Sequence, residues 1–174
     1  MVKLGIISDT HITNNYNPED LKILIDQLKG IFREVDQIIH AGDICTESFL
    51  EELKKIARVI CVKGDLDTIV NLEEFIKLTA GKYNIGVIHK PPEDIENFIK
   101  KNNLQILIHG HSHICKIEGT KFNTLILNPG SPTIPKAPPQ IKGFNKPVAR
   151  PSVILLEIDE KDILKTFVVN INFK

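Results

Sequence analysis

What most constrains this chain is a short apolar run that ends in a polar cluster, an arrangement that occurs five times. Leu4-Gly5-Ile6-Ile7 leads to Asp9-Thr10-His11, Ile38-Ile39 to Gly42-Asp43, and Val59-Ile60-Cys61-Val62 to Gly64-Asp65-Leu66-Asp67. Ile85-Gly86-Val87-Ile88 leads to His89, and Ile106-Leu107-Ile108 to Gly110-His111-Ser112-His113. Short runs with β-branched residues read as buried strands whose C-terminal ends lie together along one edge of a sheet. Carboxylates and imidazoles delivered by five such ends would converge in space though far apart in sequence. Convergent Asp and His on rigid strands suits a divalent cation, and two cations need about this many ligands.

A chain of 174 residues is long enough for one domain with a real core and marginal for two, so one domain over 1–174 is expected. The 22 Lys plus Arg balance the 22 Asp plus Glu, leaving no global field toward nucleic acid or acidic membranes. No run approaches the length of a membrane span, and Met1 leads almost directly into a strand. These features predict a cytoplasmic protein with no stable nucleic-acid complex and no membrane partner. Cys45, Cys61 and Cys115 are too few and too scattered for a disulfide framework or a zinc knuckle. Cys61 reads as a small buried hydrophobe, whereas Cys45 and Cys115 each lie two residues beyond a candidate ligand and could stand behind it.

The order begins strand, helix, strand, helix, strand. After Lys3–Ile7, Asn17-Pro18-Glu19-Asp20 supplies a cap, a first-turn proline and two acids suited to a helix N-terminus. Leu21, Leu24, Ile25, Leu28, Ile31 and Phe32 then recur at helical spacing. Gln37–His40 is a strand, Thr46 caps a helix that buries Phe49, Leu50, Leu53 and Ile56, and Arg58–Val62 is a third strand. Phe75–Leu78 and Lys82–His89 flank Thr79-Ala80-Gly81 as a hairpin. Asp94 and the prolines before it open a third helix that ends near Asn102-Asn103, and Ile106–His109 is another buried strand. Cys115–Glu118, Thr124–Asn128, Pro151–Ile158 and Ile163–Phe173 read as strands of a second, mostly antiparallel sheet. Two packed sheets with helices on their outer faces follow. Pro129–Arg150, rich in proline and glycine, is too long for an ordinary connection. No acid occurs from Gly119 to Leu156, while Lys121, Lys136, Lys142, Lys146 and Arg150 do. That segment reads as a solvated irregular loop, a rim that helps hold an anionic substrate, or a contact to another subunit.

Asp-Thr-His, Gly-Asp, Gly-Asp-Leu-Asp, a lone His after a strand and Gly-His-Ser-His together resemble the calcineurin-like metallophosphoesterases. His40-Ala41-Gly42-Asp43 and Asn128-Pro129-Gly130-Ser131-Pro132-Thr133-Ile134-Pro135-Lys136 resemble their small single-domain phosphodiesterase branch, over the full chain. The resemblance implies an α/β fold: a four-layer α/β/β/α sandwich of two mixed sheets flanked by helices, with a two-metal centre. It assigns Asp9, His11, Asp43 and His113 to one metal, and the shared Asp43 with Asp65, His89 and His111 to the other. The activity implied is hydrolysis of phosphodiester bonds by a hydroxide bridging the two metals, with Asp43, His89 and His111 at the catalytic centre as ligands rather than general acids. Manganese is the first expectation, with nickel, zinc or iron as alternatives that the same donors suit. His40 and His109 each stand one residue short of a motif and read as structural or supporting groups.

The chain departs from the family pattern at two positions. Asp65 stands where many relatives carry Asn, and Leu66 where some carry a His that could assist the leaving group. Asp67, which could orient such a His, then reads as a turn or supporting residue. Lys90 could supply positive charge beside a phosphodiester substrate or point to solvent. Leu66 and Asp65 also leave room for a competing reading, because the same fold and motif order occur in the retromer scaffold subunit. On that reading the chain is a protein-interaction module with a vestigial metal site. A symmetric homodimer is the base-rate expectation.

Overall fold

Apolar side chains alternate along each strand, and the alternation sorts the interior into three clusters that define the layers. In the computed structural model, which describes residues 1–173, Leu4 and Ile6 of β1 (Val2–Ile7) face inward with Ile39 of β2 (Gln37–His40). They meet Ile85 and Val87 of β5 (Tyr83–Ile88), Ile106 and Ile108 of β6 (Ile106–Ile108) and Leu127 of β8 (Leu125–Pro129). Ile7 and Ile38 point the other way, onto Leu24, Leu28 and Phe32 of and beyond α1 (Pro18–Ile31) and onto Phe49 and Leu53 of α2 (Glu47–Lys54). On the opposite outer face, Leu107 and Ile126 pack against Ile99 of α3 (Ile95–Asn102). Each such Leu or Ile contributes about 1.5–3 kcal/mol on full burial, which makes the register of every strand costly to shift. The result is the expected α/β/β/α stack of two mixed sheets.

One sheet has the order β10-β9-β1-β2-β3, with β3 Arg58–Cys61, β9 Ser152–Ile158 and β10 Leu164–Asn170. The other has the order β4-β5-β6-β8-β7, with β4 Phe75–Ala80 and β7 Cys115–Gly119. Here the structure corrects the sequence reading, because the last four strands do not form one antiparallel sheet. β7 and β8 join β4, β5 and β6, while β9 pairs antiparallel with β1 and carries β10 to the edge of the first sheet. Local pattern identifies a strand but not its distant partner, which the shared inner core decides here. β1, β2 and β3 are mutually parallel, as are β5, β6 and β8, so six strands send their C-terminal ends to one end of the stack.

The helix ends follow their local sequence with one exception. The Asn17 side chain accepts from the N–H groups of Glu19 and Asp20 (2.9 and 3.1 Å), and Asp94 accepts from Asn97 N at 3.0 Å. Asn103 closes α3 in the left-handed conformation that Asn tolerates. Thr46 occupies the N-cap of α2, but its hydroxyl makes no cap bond and is buried without a hydrogen-bond partner, contrary to expectation. No described helix is long and apolar enough to cross a membrane.

Candidate metal centre

The polar clusters begin where the strands stop, and their backbones turn there in an unusual way. Asp9, His11, Asp43, His111 and His113 all have positive φ, between 47° and 67°, and Cys45 and Gly42 follow at 71° and 90°. Non-glycine residues seldom adopt that region, and it costs of order 1–3 kcal/mol unless the surroundings enforce it. Placing alternate residues of Asp-Thr-His, Asp-Ile-Cys and His-Ser-His in this conformation rolls each chain end over, so that successive ligands approach from one side. Main-chain bonds lock the rolls together: Asp9 N donates to Gly42 O and His11 N to Asp43 O, both at 3.0 Å. Two glycines allow the close approach. A Cβ at Gly110 would run into Ser8 Oγ, Asp9 Oδ2 and the Ala41 carbonyl, and one at Gly64 would run into Asp43 N and Oδ1.

All seven sequence-predicted ligands meet at this end. His113 Nε2 lies 3.4 Å from Asp9 Oδ1 and 3.2 Å from His11 Nε2, which is itself 3.7 Å from Asp43 Oδ2. On the other side His89 Nε2 lies 3.4 Å from Asp43 Oδ2 and 3.6 Å from Asp65 Oδ2, and His111 Nδ1 is 2.8 Å from that same Asp65 oxygen. Asp9 with His11 and His113 forms one group whose ligand atoms are all within 4.8 Å, and Asp65 with His89 and His111 forms another. Asp43 stands between them. Its Oδ1 accepts from Leu66 N at 2.8 Å, which leaves Oδ2 facing histidines of both groups. A third group, Asp9 with Asp43 and His89, runs across these two.

The donor set suits divalent cations, and one buried atom fits that role. His89 Nε2 is buried with no hydrogen-bond partner, although it faces two carboxylates. The other ring nitrogen, Nδ1, donates to the Ala41 carbonyl at 2.8 Å, and His113 Nδ1 donates to the Ile134 carbonyl at 2.9 Å. These bonds fix the tautomer that leaves Nε2 as a lone-pair donor toward the centre, the usual support behind a metal-bound imidazole. In the protein without cations, protons take the place of positive charge. Burial alone would lower the His89 pKa, but the Asp43 carboxylate and the Ala41 carbonyl carry it up to about 9. Burial alone would raise Asp43, yet His89 and the Leu66 N–H bring it down to about 2. Burial dominates at Asp9, pushing it above the usual carboxylate range, and at His11, pushing it below the usual imidazole value.

Burial is uneven across the centre. Asp9, Asp43, His89 and His113 are buried, whereas the side chains of His111 and Asp65 are 42% and 54% exposed. The centre therefore opens on the second group. A cleft of about 380 Å³ beside it is lined by Asp65, His89, Glu74, Lys63 and Lys90. Lys90 is exposed at that cleft, and Leu66 lies in solvent next to Asp65.

Supporting groups surround the centre; Asp67, His40 and Cys45 were named from the sequence, and the side chains that follow β8 were not assigned this role. Asp67 is buried, and its carboxylate accepts from three main-chain donors: Gly64 N (2.8 Å), Asp43 N (3.0 Å) and Cys45 N (2.8 Å). It stitches the third cluster to the second, a firmer version of the turn role expected of it. β8 adds a sixth strand end: Asn128 Nδ2 donates to the Gly110 carbonyl at 2.9 Å and to Ser112 Oγ at 3.0 Å. Ser131 Oγ then donates to the Asp9 carbonyl at 2.7 Å and Thr133 Oγ1 to the Thr10 carbonyl at 2.8 Å. Residues 130–136 are thus pinned to the centre instead of forming a free rim, and only the later part of the long segment is solvated. The Asn-Pro-Gly-Ser run at a strand end was the available signal. His40 is fully buried, bonded through Nε2 to Thr10 Oγ1 at 3.0 Å and held near pKa 3 by burial, so its role is structural. Cys45 Sγ stands 3.9 Å from His11 Nδ1, behind that residue and not behind Asp43, to which its spacing pointed; burial pushes its thiol up to about 11.

This fold with this cluster defines a class. Residues 2–161 match the calcineurin-like phosphoesterase superfamily domain, and the chain belongs to that family. A probable metallophosphoesterase of Methanocaldococcus jannaschii is 37% identical over 142 residues, 78% of this chain and 70% of its own. A second, from Methanothermobacter thermautotrophicus, is 30% identical over 175 residues, covering 94% of this chain and 92% of its own. Among solved structures, a zinc complex of wild-type Vps29 from Entamoeba histolytica shares the fold with a TM-score of 0.71 at 24% identity, covering 98% of this chain and all of that one. A structure described as a novel archaeal phosphodiesterase aligns with a TM-score of 0.68 at 23% identity, over 97% of this chain and all of that one.

Proposed function

We infer that the chain is a metal-dependent phosphodiesterase. The observation that carries this reading is the position of Asp43 Oδ2, 3.7 Å from His11 and 3.4 Å from His89, between a buried ligand group and one that opens onto a cleft. A pair of divalent cations bound there, manganese first among the candidates, would supply positive charge to a phosphoryl group and lower the pKa of a bound water. The residues do the rest. Asp43 would join the two halves of the site, Asp9, His11 and His113 would close the buried half, and Asp65, His89 and His111 the open half. The Ala41 and Ile134 carbonyls orient His89 and His113 with Nε2 toward the centre, and His89 and His111 would act as ligands rather than general acids. Exposure of Asp65 and His111 leaves room for an ester on that side, with Lys90 as the nearby cation. The family supports a phosphoester substrate, and the structure of the same fold described as an archaeal phosphodiesterase favours a diester.

A second reading, a scaffold with a relic site, draws on exposed Leu66, which can give no proton to a leaving group, and on the Vps29 fold. Hydrolysis of a nitrophenyl phosphodiester by purified protein with and without Mn²⁺ separates the two. The enzyme reading expects Mn²⁺-dependent turnover that falls in Asp43→Asn by more than the ~100-fold reached when supporting groups behind a ligand are lost. Absent turnover with both metal sites filled would leave the scaffold.

A further inference from the structure

We propose that two copies of this chain pair about a two-fold axis at the mouth of the candidate metal centre, each laying its 137–150 arm on the other's 66–74 strip. Half of the strongly exposed large apolar side chains among the described residues fall in these two places: Leu66 and Val70 in the strip, and Ile134, Ile141, Phe144 and Val148 in and before the arm. Val70 is 79% exposed and Phe144 72%, so in one copy neither surface is covered. Such concentrations on a folded surface mark a protein contact.

The two surfaces also carry opposite charge. From Ile134 to Arg150 there are Lys136, Lys142, Lys146 and Arg150 and no acid, and from Asp65 to Ile76 there are Asp65, Asp67, Glu73 and Glu74 and no base. Asp67 is buried against main-chain donors and Asp65 faces His111, so Glu73 and Glu74, both exposed, are the acids free to meet the arm. Lys63 and Lys90 share the cleft with Glu74, which confines the match to the strip itself.

Both surfaces are rooted at the same end of the molecule. Lys136 N donates to the His113 carbonyl at 2.9 Å where the arm departs, and Leu66 N donates to Asp43 Oδ1 at 2.8 Å where the strip departs. Lys63 N, just past β3, donates to the Glu73 carbonyl at 2.8 Å, which holds the far end of the strip in place. A two-fold operation is self-complementary, so a single axis buries both apolar surfaces and pairs both charge sets at once. A partner of another sequence would have to supply both complements. The contact spans the cleft, so each centre would be roofed by the other copy's arm.

Sedimentation equilibrium on the whole chain tests this with two charge reversals, Lys142→Glu/Lys146→Glu and Glu73→Lys/Glu74→Lys. The wild type should be a dimer that weakens with added salt, and each variant alone should dimerise at least about tenfold more weakly, because like charges then face each other. Mixing the two variants should restore a dimer of wild-type strength, since every reversed arm meets a reversed strip. Phe144→Asp should weaken the dimer irrespective of the mixing partner. A wild type that stays monomeric, variants that pair as well as the wild type, or a mixture that stays monomeric would each overturn the proposal.

Discussion

Replacing Asp65 by Asn isolates one charge in the centre without changing its shape. Asp65 Oδ2 touches both histidines of the open group, at 2.8 Å from His111 and 3.6 Å from His89, and the ligand atoms of that group lie within 4.8 Å of one another. A unit charge about 4 Å from a divalent cation interacts by ~8 kcal/mol at an effective dielectric of 20 and by ~2 kcal/mol in water. Asp65 is 54% exposed, which places it toward the aqueous limit, at about 2–3 kcal/mol. Affinity for the cation of the open group should therefore fall by roughly 30–150-fold in Asp65→Asn. The same lost charge no longer repels an anionic phosphoryl group, so turnover per fully loaded site should rise. Isothermal titration with Mn²⁺ gives the first quantity, and nitrophenyl diester hydrolysis at saturating Mn²⁺ gives the second. Unchanged metal affinity would mean that Asp65 is not a ligand. Lower turnover at full loading would mean that its carboxylate serves the reaction itself.

In the metal-free protein His89 is raised from 6.5 to about 9, so the stability its proton contributes is complete below pH 6.5 and lost as pH rises through about 9. Thermal melts from pH 6 to 10 should show the chelated protein losing stability over that window while the Mn²⁺-loaded protein does not; parallel curves would contradict this. Metal uptake near neutral pH should release a proton, so apparent affinity should tighten with rising pH in the same window. Gly110→Ala drives a methyl into Ser8, Asp9 and the Ala41 carbonyl, and should cost about 1–3 kcal/mol in denaturant unfolding along with part of the metal stoichiometry; neutral behaviour would refute the close approach. With Leu66 unable to donate a proton, nitrophenyl diesters should turn over far faster than alkyl diesters, and Leu66→His should narrow the gap. Equal rates in the wild type would show that leaving-group assistance comes from elsewhere.

Much of this molecule was legible in the sequence because its strands are short, apolar and punctuated. Gln37–His40 and the three helices sit where periodicity and caps place them. The candidate ligands were legible in part for a related reason: Asp and His after buried runs collect at the sheet edge, while the choice of seven and their division between two cations came from the family resemblance. What escaped was long-range or conformational. That β9 crosses over to pair with β1, at Gly5↔Leu155 and Ile6↔Ile154, depends on inner-face packing that no local window records. The left-handed backbone of Asp9, His11, Asp43, His111 and His113 is likewise invisible, because it is imposed by bonds such as His11 N to Asp43 O that join residues distant in sequence. Asp67 could be read as a supporting group, but its three main-chain donors come from two separate clusters. Thr46 shows the opposite error, a favourable cap residue whose hydroxyl the fold leaves unused.

The most direct measurement is anomalous diffraction from crystals grown with Mn²⁺. Two peaks roughly 3.5–4 Å apart are expected, the spacing of paired catalytic cations, with Asp43 Oδ2 touching both, Asp9, His11 and His113 at one and Asp65, His89 and His111 at the other. A single peak, or peaks that Asp43 does not join, would contradict the two-cation centre.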